Sequence, residues 1–409
     1  MTACEVEVYG LRVRQARLVR RMTATVVLKE MGWKGARLTR MERSDMATIT
    51  DGELQRLSHV LHFPAVFFVT APESHVEPED LSFRAPKSTL VSEKNRMAQM
   101  MALSGDFLLQ LDAQHKLPPL RLTPRPQLGP VAAAAEARRQ LGLAQDEPIK
   151  NLTHLLEKHG VPIVMRGERF GGQGIEENER GRLEKHLGCS AWVGEFRDRP
   201  LIALRELDSW ERTRWTVAHE LGHLMLHAGR RDVGPEQENE ASRFASELLA
   251  PFVVTSQEIR GVPSLVNLMP VKDKWGISLG ALIRHFRDSD GMDQTRYDLL
   301  AKQLYTRINV DTGMTWGRTE PGWDSRAPER PRLMSKWVEF VYGTSTVKEL
   351  AVHKTMWPND LLAEFLMGQR GAAGTASGRS PSTSRRRRVG DDGDVVEVDF
   401  ASRGRERRA

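Results

Sequence analysis

Residues 215–227 read Trp-Thr-Val-Ala-His-Glu-Leu-Gly-His-Leu-Met-Leu-His, and no other stretch constrains the chain as tightly. Positions four apart on a helix lie one turn apart and about 40° round its axis. His219 and His223 therefore project to one side and can chelate a single ion. Glu220, offset by about 100°, can reach a water held there without taking a coordination position itself. The flanking Val217, Ala218, Leu221, Leu224, Met225 and Leu226 are apolar. Such a helix is expected to be buried, and buried imidazoles need partners. His227, at the helix end, reads as a structural histidine.

Two histidines need a third protein ligand, with one position left for water. The segment 236–250 carries Ala241, Phe244, Ala245, Leu248 and Leu249 as an apolar stripe. At 100° per residue, Glu238 lies about 50° from the centre of that stripe and Glu240 roughly 110° away. Glu236 and Glu247 are expected to point outward. A metal explains a carboxylate at Glu238. The competing explanation is that Glu238 merely favours the positive N-terminal end of its helix. The chemistry this predicts is amide hydrolysis. Zinc would lower the pKa of a water towards roughly 7, with Glu220 as general base and then as acid to the leaving amine. One Zn2+ per chain is expected, with Mn2+ the alternative. No residue in the sequence stands out as a donor to the developing oxyanion.

The chain has 409 residues, more than one ordinary domain accommodates. Its apolar and charged content is that of a soluble globular protein, and no run approaches the roughly 20 apolar residues of a membrane span. Residues 1–10 lack a basic segment followed by an apolar one, so no secretory signal is expected. Cys4 and Cys189 cannot make a disulfide framework, and Cys189 reads as a small packed residue. Together these features point to a reducing cytoplasm and exclude a membrane partner.

The net charge of +6 matters only through its placement. Arg12, Arg14, Arg17, Arg20, Arg21, Lys29, Lys34, Arg37 and Arg40 crowd the first forty residues. The run 385–388 is all arginine and reads as a solvated tail. Residues 10–69 have apolar positions at helical spacing, with Gly32 as a break and Asp51 as a cap for the helix holding Leu54 and Leu57. A second helical stretch is expected over 92–113. Pro118, Pro119, Pro124, Pro126 and Pro130 then stiffen a boundary. Helices are expected at 132–141 and 152–159, short strands at 161–165, 190–193 and 201–204, and a mobile loop at 167–181.

The fold class expected is mainly α with a small β-sheet (α+β): an all-helical helix-turn-helix domain (1–70), a helical connector with a proline-rich linker (71–130), a zincin-like metallopeptidase domain (131–255), a C-terminal helical region (256–369) and a disordered tail (370–409).

The 219–227 stretch, with Glu238-Asn-Glu-Ala-Ser-Arg-Phe-Ala-Ser-Glu-Leu-Leu-Ala-Pro251, resembles the ImmA/IrrE family of metallopeptidases. So do Trp275-Gly-Ile-Ser-Leu-Gly-Ala-Leu-Ile-Arg284 and Glu320-Pro321 downstream, and 148–164 and 190–204 upstream. The resemblance covers about 130–321. It makes Glu238 the third ligand, four residues ahead of a position that is commonly Asn in the family. Here that position is Ser242, which can orient a ligand histidine more weakly. The N-terminal part resembles Cro/CI-type helix-turn-helix domains, with 22–32 and 34–42 as the paired helices. Ala24 stands where such domains usually have Gln, which removes one expected DNA contact. Lys34, Arg37 and Arg40 fall on one side of the second helix, as phosphate or base contacts require.

By resemblance, the function expected is a zinc endopeptidase that cleaves a DNA-binding repressor and so derepresses phage, mobile-element or stress genes, with double-stranded DNA as a second partner. The alternative is a transcription regulator whose metal domain senses or scaffolds without proteolysis. Glu220 favours the enzyme, because a scaffold has no use for it.

Overall fold

Glu5, Val6, Glu7 and Val8 alternate at period two, the signature of a half-buried strand. They form β1 (Glu5–Tyr9), which pairs antiparallel with β2 (Met46–Thr50) so that Glu5 faces Thr50 and Tyr9 faces Met46. The N-terminal part is therefore not all-helical as its apolar spacing suggested. Val8 and Ile49 turn inward from this ribbon. Around it lie α1 (Gly10–Val19), α2 (Ala24–Met31), α3 (Arg37–Arg43), α4 (Asp51–Leu61) and α5 (Ala65–Val69). The α2 helix starts where the Thr23 side chain accepts from Val26 N, and stops at Gly32, whose φ of +69° is a left-handed cap. Helix α4 is capped by Thr50 rather than Asp51, with Glu53 closing the capping box and Asp51 in the first turn.

The computed structural model describes residues 4–82, 91–165, 188–205, 207–230, 233–353 and 355–367. The loop expected at 167–181 and the tail expected at 370–409 lie outside them. Chain contacts gather these described residues into one compact unit. The long α6 (Val91–Gln114) follows the N-terminal part. The proline-rich stretch then runs without regular structure to α7 (Pro130–Gln140) and α8 (Leu152–Lys158).

Strands β3 (Ile163–Met165), β4 (Gly188–Val193) and β5 (Arg199–Leu204) form a sheet in the order β3-β5-β4, with β5 parallel to β3 and antiparallel to β4. Among the described residues the outer edge of β4 is bridged at one point, where the backbones of Ser82 and Ser190 exchange hydrogen bonds of 2.9 and 3.3 Å. Side chains alternate across a sheet, and here the two faces belong to different cores. Val164, Cys189, Ala191, Val193, Leu201 and Ala203 join the core built from α1–α6. Ile163, Met165, Ile202 and Leu204 join the core of α7, α8 and the helices that follow, α9 (Trp210–Leu226) and α10 (Pro235–Leu249).

The C-terminal stretch divides between two cores. Helices α11 (Phe252–Glu258), α12 (Leu265–Trp275), α13 (Leu279–Asp288) and α14 (Gln294–Thr306) surround a third apolar cluster centred on Trp275, Leu282 and Phe286. Beyond Arg332, α15 (Leu333–Tyr342), α16 (Val347–Leu350) and α17 (Asn359–Met367) return to the first core, where Trp357 and Phe365 pack on Phe107. Among the described residues no helix is long and apolar enough to cross a membrane.

Candidate metal centre

The Ser209 side chain caps α9 by accepting from Arg212 N. One turn on, the guanidinium of Arg214 is fully buried. It pairs with Glu329, donates to Ile149 O at 2.9 Å and lies 4.7 Å from the Trp210 ring centroid. These contacts fix the axial position of α9. Gly222 sets its distance from α10. A Cβ there would fall 3.0 Å from Phe244 Cδ1 and 3.1 Å from Ala241 Cα, so any larger residue would press on α10 and require it to give by a few tenths of an ångström.

That approach brings His219, His223 and Glu238 together, with one ligand atom from each within 4.8 Å of the others. The two histidine Nε2 atoms are 3.2 Å apart. Glu238 Oε2 lies 3.4 Å from His219 Nε2, and Oε1 lies 3.5 Å from His223 Nε2. Donors about 2.1 Å from a tetrahedral ion stand about 3.4 Å from one another. Glu238 Oε1 is buried without a hydrogen-bond partner, which is costly for a carboxylate unless a cation satisfies it. The donor set and its spacing fit a divalent ion of the zinc type.

Each histidine is also held from behind. Ser242 donates to Glu238 O at 2.8 Å, so its oxygen is left to accept from His219 Nδ1 at 3.4 Å. The Trp215 ring stacks on His219, with centroids 5.1 Å apart. His223 Nδ1 is 2.9 Å from His227 Nδ1, and His227 Nε2 is 2.9 Å from Glu240 Oε2. One proton placement satisfies this chain: His223 donates to His227, His227 donates to Glu240, and His223 Nε2 stays unprotonated towards the ion. Burial, partly offset by Glu240, lowers the pKa of His227, in keeping with the neutral ring this requires. Glu240 thus serves His227, which is a link in the chain behind the metal site and not only a structural helix end. Glu247, expected to point outward, is instead buried. It lies 3.2 Å from His285 Nε2 and accepts from Phe252 N, because α13 packs on that side of α10.

Glu220 is buried on the face of α9 that meets β4, and the Ser190 hydroxyl donates to its Oε2 at 2.8 Å. Sequence reasoning missed Ser190. Strand periodicity puts positions 188, 190 and 192 on one face, but it does not say which helix that face meets.

The three residues expected at a DNA surface are unequal. Arg37 is 2.8 Å from Glu53 and stacks 4.6 Å from the Trp33 centroid, whose Nε1 also donates to Glu53. Lys34 and Arg40 are exposed, with no ion pair among the described residues. Much of the remaining N-terminal charge is consumed internally: Arg12 by Asp106, Arg14 by Glu77, Arg17 by Glu42, Arg20 by Asp360 and Arg21 by Glu93.

Neither the curated proteins nor the solved structures contain a significant match to the chain. Residues 176–286, which hold α9, α10 and the His-His-Glu cluster, match the family model described as the IrrE N-terminal-like domain, peptidase M78, and by that match this part of the chain is similar to metallopeptidases of the ImmA/IrrE kind.

Proposed function

We propose that the protein is a zinc-dependent endopeptidase of the ImmA/IrrE type, with a DNA-binding repressor as its substrate and a helix-turn-helix domain of its own. The observation that carries the reading is the orphaned Glu238 Oε1 beside two histidine Nε2 atoms, with a separately anchored glutamate next to them. His219, His223 and Glu238 would hold the ion, which supplies Lewis acidity for hydrolysis of an amide. The Glu220 carboxylate takes a proton from the attacking water and returns it to the leaving amine nitrogen. Ser242 and the His227–Glu240 pair keep both imidazoles in the tautomer that leaves Nε2 unprotonated. Helices α2 and α3, joined by a five-residue turn that begins at Gly32, support the DNA-binding part of the reading, with Lys34 and Arg40 as its phosphate contacts.

Co-incubating the protein with repressor-like proteins encoded beside it, with and without a chelator, tests the reading. Fragments are expected only with metal present, and Glu220→Gln should keep its zinc while activity falls at least about a hundredfold. Cleavage by Glu220→Gln at the wild-type rate would refute the assigned chemistry.

A further inference from the structure

We infer that Ser190 is a positioning residue that fixes the orientation of the Glu220 carboxylate, an inference that rests on the metallopeptidase reading above. Beta strand β4 crosses α9 at Glu220 and frames both carboxylate oxygens. On one side Gly188 lies so close that a Cβ would fall 2.9 Å from Glu220 Oε1 and 2.8 Å from Thr216 Cγ2. Two residues along the same face, the Ser190 hydroxyl donates to Oε2 at 2.8 Å, with the Glu220 backbone oxygen next nearest at 3.3 Å. Ser190 has no exposed surface, so no water competes for this hydrogen bond.

The serine is itself held. On the β5 side it stands opposite Ile202, and on the outer edge of β4 both its backbone groups are matched by Ser82. Ser82 follows the 71–81 segment, which leaves the N-terminal helices and is anchored to α6 where Asp106 accepts from Glu73 N at 2.9 Å. A glutamate on a helix has rotors to spare. A short charge-assisted hydrogen bond from a rigid strand removes that freedom before substrate arrives, which is the advantage of preorganisation. The hydrogen bonds of the Ser190 hydroxyl go to Glu220 and not to a ligand atom of the metal site. Its effect must therefore pass through Glu220.

Acetohydroxamate binding to the zinc-loaded full chain tests this, because a hydroxamic acid chelates the ion and shares its acidic proton with a neighbouring carboxylate. Ser190→Ala should keep its zinc content and melting temperature near wild type while binding acetohydroxamate about tenfold more weakly, the cost of losing the Ser190 hydrogen bond that orients Oε2. Ser190→Thr, which keeps the hydroxyl, should restore wild-type affinity. In a Glu220→Ala background, Ser190→Ala should have no further effect. An equal loss in both backgrounds, no loss at all, or failure of threonine to rescue would each overturn the inference. A wild-type chain that takes up neither zinc nor acetohydroxamate would instead overturn the metal-site reading, and this inference with it.

Discussion

Glu157 on α8 shows what a single buried carboxylate can do to the pH response. Its oxygens accept from Arg332 N and Leu333 N, capping the start of α15, and burial pushes its pKa up to about 7, against the backbone hydrogen bonds. A carboxyl raised in the folded state holds a proton that the unfolded chain has released. Its stabilising contribution is complete below about pH 4.5 and is lost as pH rises through about 7. Stability measured by denaturant should therefore fall over that window by up to a few kcal/mol on this residue's account. Glu157→Gln should flatten the profile between pH 5 and 7, and an unchanged slope would remove Glu157 as its source. No sequence pattern announces such a residue: Glu157 looks like any solvated helix glutamate until α15 is folded over it. The same holds for Glu247, whose outward angle on α10 was correct for an isolated helix and lost its meaning when α13 packed there. The His219–His223 pair differs because the spacing of one helix alone brings the two rings together.

Helices and strands were readable where a local period sets them. The three sheet strands fall close to the apolar runs at 161–165, 190–193 and 201–204. The β1–β2 ribbon was missed because the apolar positions after Gly10 masked a five-residue alternation ahead of them. How elements meet is the less readable part, and Gly222 is its clearest instance. Helix α9 buries residues on nearly every face, so a glycine within it costs about 1 kcal/mol of helix propensity. The structure accounts for it by the close crossing with α10 at Ala241 and Phe244. Gly222→Val should destabilise the protein by about 1–3 kcal/mol through overpacking, and should weaken zinc binding as Glu238 moves away from the histidines. A variant with wild-type melting temperature and zinc affinity would show that this approach does not set the metal site.

At the scale of the whole molecule, the N-terminal helices share one apolar core with α6, one face of the sheet and α15–α17. The buried Arg12–Asp106 pair ties α1 to α6 across that core. Local periodicity carries no information about such long-range contacts. DNA binding is accordingly best tested on the full chain. Affinity should fall steeply with salt, and Lys34→Ala with Arg40→Ala should lower the log–log slope by about 2 without unfolding the protein, because each removes one phosphate contact. Arg37→Ala should instead cost stability, through its ties to Glu53 and Trp33. Salt-independent binding, or none, would favour a protein partner for this face. The central claim, that His219, His223 and Glu238 hold one zinc in a peptidase site, is tested most directly by the zinc affinity of three full-length proteins. Wild type should hold one zinc per chain, Glu240→Ala should lose about 10–100-fold in affinity through His227, and Glu238→Ala should lose several orders of magnitude. Zinc retained by Glu238→Ala and lost by Glu240→Ala would contradict the account.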